Sequence, residues 1–97
     1  MIKRYASFVT VNSILKKHGF MAVKHSNHNI NGRKQGFTGF FQSPDTGKLL
    51  YVCTDMYCAV DTVLIRSAVS EHDYTGGRNQ YCSDENELVE LAREITA

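Results

Sequence analysis

The chain has 97 residues, 42% hydrophobic and 22% charged, which excludes a disordered polypeptide and suits a single domain, 1–97, with little to spare for a separate catalytic subdomain. No apolar run approaches the roughly 18 residues of a membrane span, so no membrane association is expected. Net charge is +1, but residues 1–48 carry +7 and residues 49–97 carry −6, which predicts two opposed surface fields if the fold keeps the halves apart.

Phe8, Val11, Ile14, Leu15 and His18 recur at helical spacing, with Ser7 or Thr10 to cap the start and Gly19 beyond the end, so a first amphipathic helix is predicted over 6–18. Lys16 and Lys17 fall in its last turn, where the negative end of the helix dipole favours cations. Residues 20–25 read as a first strand. The polar stretch 26–34 reads as a loop holding the turn pair Asn31-Gly32.

Residues 36–42 form the next strand, with Phe37 and Phe41 on one face and Phe40 on the other. Ser43-Pro44-Asp45-Thr46-Gly47-Lys48 supplies proline and glycine where a tight turn needs them, which pairs this strand with 49–54 as a hairpin. A fourth strand is predicted over 62–68. Residues 70–82 lack a hydrophobic period and read as a long loop.

Asp84, followed by Glu87, resembles a capping box, and Leu88, Leu91, Ala92 and Ile95 then recur at helical spacing, so a second helix is predicted over 84–96. The order predicts an α+β fold, an antiparallel three- or four-stranded sheet with N- and C-terminal helices packed on one face. Its expected core is Ile14, Leu15, Val23, Phe37 or Phe40, Leu50, Val52, Leu64, Leu88, Leu91 and Ile95.

No catalytic signature is present. His25-x2-His28 with Cys53-x4-Cys58 supplies four zinc-type donors, but the spacing is not that of the tight pairs typical of zinc modules. His72-Asp73 with Cys82 lacks the context of a nucleophile, and Gly76-Gly77-Arg78-Asn79 matches no phosphate-binding fingerprint. Neither enzyme activity, a metal nor a cofactor is expected. Three cysteines, Cys53, Cys58 and Cys82, without an export signal point to a reducing cytoplasm rather than a disulfide framework.

Two charged constellations remain. Lys24, His25, His28, Arg33 and Lys34, interleaved with Asn27, Asn29 and Asn31, offer cations for phosphates and amides for edges, so one reading is a small nucleic-acid-binding protein using the basic loop 24–34. The helix–strands–helix order is similar to a double-stranded-RNA-binding domain. That family uses a basic start to its last helix, where this chain has Ser83-Asp84-Glu85.

The other constellation is acidic. Glu87, Glu90 and Glu94 lie three and four residues apart on one helix face, about 4.5–6 Å apart along the axis, a spacing comparable with successive phosphates. Asp73, Asp84 and Glu85 extend the row, and Tyr74 and Tyr81 offer apolar anchoring. In length, α+β reading, lack of enzyme motifs and carboxylate pattern the chain resembles small phage anti-CRISPR proteins acting on type I-F complexes, some of which mimic DNA. The resemblance implies a non-enzymatic inhibitor that binds a positively charged nucleic-acid site of a host defence complex, such as a CRISPR surveillance complex, in the host cytoplasm.

Overall fold

A computed structural model describes residues 8–30, 33–54, 63–70 and 78–97. Among them the elements run α1 (Phe8–Lys16), β1 (Met21–Ile30), β2 (Arg33–Gln42), β3 (Leu49–Thr54), β4 (Val63–Ala68), β5 (Gln80–Cys82) and α2 (Glu85–Ile95). The strands form one antiparallel sheet in the order β1-β2-β3-β4-β5, so sequence order is also spatial order. This is an α+β fold with five strands, one more than the expected maximum.

Phe37 and Phe41 of β2, Leu50 and Val52 of β3, Val63 and Ile65 of β4 and Cys82 of β5 project from one face of the sheet into a single buried cluster. Val11, Ile14 and Leu15 of α1 and Leu88, Val89 and Ala92 of α2 close that cluster from above, so both helices cover the same face. The i, i+3, i+4 spacing in each helix supplies the apolar stripe that this packing requires.

The turn after β2 forms as its sequence predicts. Gly47 adopts φ 74°, and Ser43 N donates to Lys48 O at 2.9 Å while Gly47 N donates to Ser43 O at 3.1 Å. The same turn holds the end of α2: Thr46 Oγ1 donates to Thr96 O at 2.5 Å and Lys48 Nζ to Ala97 O at 2.7 Å. Carbonyls that a helix end leaves unpaired thereby find donors, one of them cationic.

Several expectations are corrected. Residues 26–34 are not a loop: 26–30 continue β1, and 33–34 begin β2, while the Asn31-Gly32 turn lies outside the described residues. Val23 is not core. Ala22 pairs with Phe41 and Lys24 with Phe40, which leaves Val23 as the extra residue of a β-bulge, 44% exposed.

Leu64 is half-buried on the face away from the helices, because Val63 and Ile65 take the core side and successive strand residues alternate. Leu91 and Ile95 pack against the core from its border without full burial. Phe37 enters the core; Phe40 is buried on the other face, with its ring 5.3 Å from that of Tyr51. Gln80–Cys82, read as loop, pairs with β4 as an edge strand.

Candidate functional site

The acidic face is built on a helix whose start is chemically fixed. Asp84 has extended backbone, φ −137° and ψ 165°, and its Oδ1 accepts from Glu87 N at 2.8 Å while its carbonyl accepts from Leu88 N at 3.0 Å. A carboxylate there satisfies an orphan donor and faces the positive end of the helix dipole. Burial of Leu88, Val89 and Ala92 then sets the rotation of α2 about its axis.

That rotation turns Glu90 and Glu94 into solvent, with Glu87 half-buried at the border of the same ridge. Asp84 and Glu85 are exposed at its N-terminal end. Asp84, Glu85, Asn86, Glu87 and Glu90 line a shallow depression of about 460 Å³. The expected contributions of Asp73 and Tyr74 lie outside the described residues. Tyr81, half exposed, pairs with Leu64 on the opposite side of the sheet from α2 and so does not join the ridge.

The cation on α2 turns elsewhere. Arg93 Nη2 lies 3.3 Å from His18 Nδ1 just beyond α1, and since a guanidinium only donates, Nδ1 is the acceptor there. No described cation forms an ion pair with Glu85, Glu87, Glu90 or Glu94. Beneath the ridge, Cys82 is pushed up to about 12, first by burial and then by the negative charges of Glu87 and Asp84. Its Sγ lies 3.7 Å from Val63 O, as expected of a protonated thiol donating into the core. This is the reverse of the environment that activates a cysteine nucleophile.

The basic constellation is divided by the sheet. Lys24, exposed, pairs with Phe40 and belongs to the face away from the helices. His25 projects from the other face and stacks on Phe8 of α1, with ring centroids 3.7 Å apart and planes at 8°. His28, Arg33 and Lys34 lie further along the β1–β2 hairpin, in register with Gly36, Ile30 and Asn29 respectively. What reads as one basic loop is therefore carried by two paired strands, β1 and β2.

The described members of the zinc-type set do not converge. His25 is on the helix-covered face, whereas Cys53, which pairs with Thr38 and Leu64, is buried on the other. The Cys58 member lies outside the described residues. Among the described residues no group of three or more His, Cys, Asp or Glu is placed to hold a metal, and no helix is long and apolar enough to cross a membrane. Comparison with protein-family models, curated proteins and solved structures finds no match to this chain.

Proposed function

We propose that this protein is a non-enzymatic inhibitor that seats the α2 ridge in a positively charged nucleic-acid site of a host defence complex, as its resemblance to type I-F anti-CRISPR proteins implies. The observation that supports this reading is a carboxylate row that pairs with no described cation: Glu87, Glu90 and Glu94 on one side of a capped and packed helix, with Arg93 directed away to His18. A Lys/Arg channel built for phosphates gains the same charge-assisted hydrogen bonds from anions of similar spacing. Because burial of Leu88, Val89 and Ala92 holds the helix in place, little conformational entropy is lost on docking.

The mechanism is steric competition with target DNA at fixed stoichiometry, without turnover. The test is a mobility-shift titration with a purified type I-F surveillance complex and its target duplex. The expected result is progressive loss of the shifted band, complete near equimolar protein. A full shift retained at large molar excess contradicts the assignment of this target.

A further inference from the structure

We infer that His18 is a proton-operated control on the charge of the α2 ridge: neutral, it holds Arg93 off the ridge, and protonated, it releases Arg93 to Glu90. Its use in inhibition rests on the reading of that ridge given above; the movement of Arg93 does not. Arg93 is the only cation of α2, which otherwise carries Glu85, Glu87, Glu90 and Glu94. The position of its guanidinium therefore sets the net charge of the face that Glu87, Glu90 and Glu94 present.

The contact that holds Arg93 is of a kind that a proton breaks. Arg93 Nη2 donates to His18 Nδ1 at 3.3 Å, and both side chains are exposed, so water can deliver and remove the proton. Nδ1 accepts only while the imidazole is neutral, with its hydrogen on Nε2. Protonation makes Nδ1 a donor and sets imidazolium against guanidinium, which turns attraction into repulsion. Histidine side chains change charge between about pH 5 and about pH 8, so the exchange belongs to that window.

Three described elements meet near His18. α1 contributes Lys16 and Lys17, which oppose a third positive charge, and the negative end of its dipole, which favours one. The turn 43–48 reaches the same end, since a Cβ added at Gly19 would meet Pro44 Cγ at 2.9 Å; it carries Asp45 and also Lys48, whose Nζ bonds Ala97 O. α2 contributes Arg93, Glu90 and Glu94. Of the acids, Glu90 is the one that Arg93 meets on its own helix. It is exposed and lies three residues earlier, with the acid N-terminal to the base, whereas adjacent residues such as Glu94 do not face each other. Arg93 on Glu90 neutralises the middle carboxylate of the row and removes a unit of negative charge from a face meant for a cationic site.

Nuclear magnetic resonance of the free protein and duplex displacement from a type I-F surveillance complex test this, with the parent, H18Q and H18K compared between about pH 8 and about pH 5.5. In the parent, the Arg93 Hε and Glu90 carboxyl-carbon resonances should shift together with the His18 imidazole, at one shared midpoint. Neither resonance should show that transition in H18Q, which is neutral throughout, or in H18K, which is cationic throughout. The parent should need at least about twofold more protein for half-displacement at the lower pH, beyond any change that H18Q shows, as release of an i, i+3 pair requires. H18K should match the low-pH parent at every pH. Arg93 and Glu90 resonances that do not follow His18 overturn the inference, and so does an equal pH dependence of displacement in the parent and H18Q. Displacement by the parent at neither pH contradicts the inhibitor reading instead, and the resonances alone then decide whether His18 moves Arg93.

Discussion

The two edges of the sheet present opposite charges in opposite mechanical settings. At the β4–β5 edge the carboxylates ride on α2, which is capped by Asp84, packed through Leu88, Val89 and Ala92, and held at its far end by Thr46 and Lys48. At the β1 edge the cations lie on two paired strands, β1 and β2, whose register shifts beside Gly36. The meander topology makes this separation possible, because no crossover carries the acidic half back among the basic one. A fixed anionic ridge suits a preformed cationic channel.

The largest effect that sharpens this contrast comes from the shared core. Leu88→Asp buries an unpaired carboxylate beneath α2 and should cost several kcal/mol, enough to unfold a domain of this size; a thermal melt near the parent's would break the account of α2. Next is the pH response of Cys82. Its folded pKa of about 12 lies above the ordinary 9.0, so its contribution is full below pH 9 and declines as pH rises toward 12. At pH 10.5 the loss should be about 2 kcal/mol, seen as a steeper fall in Tm than C82A shows over the same range.

Gly36→Val forces a β-branched residue to φ 135° and should cost upwards of about 1 kcal/mol. In a variant that still folds it should leave inhibition intact, since the strain lies in the β1–β2 pairing and not beneath α2. The smallest change is Asp84→Ala, which removes the acceptor for Glu87 N and should cost about 1 kcal/mol in a denaturant titration. Loss of inhibition in a folded Gly36→Val variant would erase the distinction between the two edges.

Much of this fold is legible in the sequence, for reasons that particular residues make plain. The helices announce themselves through 3.6-residue spacing and the Asp84 cap, and the Ser43–Lys48 turn through its proline and glycine. The continuation of β1 is hidden because Ser26–Asn29 are polar and rich in turn formers, and strand pairing there is decided by partners across the hairpin rather than by propensity. Gly36 beside the polar run is the available signal, since an isolated glycine in a strand often marks a bulge.

Val63-Leu64-Ile65 gives three apolar residues in succession, so side-chain parity is ambiguous from that run alone; Arg66 shares Leu64's face and points to the answer. The same alternation explains Tyr81, whose neighbour Cys82 takes the core position and thereby sends the tyrosine away from the ridge. The acidic row itself is readable, because helical periodicity alone places Glu87, Glu90 and Glu94 together. The direction that Arg93 takes is not readable, since it depends on His18, far away in the sequence and just beyond α1.

If the α2 ridge is an inhibitor's docking face, its carboxylates replace DNA phosphates in the partner's site. The most direct measurement is target-duplex binding by a type I-F surveillance complex in the presence of E87K/E90K/E94K, with the variant's melting curve recorded in parallel. Glu90 and Glu94 are exposed and Glu87 is half-buried, so the variant should melt within a few degrees of the parent. The expected result is that the variant no longer displaces the duplex at any stoichiometry at which the parent does. A folded variant that displaces the duplex as well as the parent would contradict the claim and leave the acidic ridge as a solvated helix face.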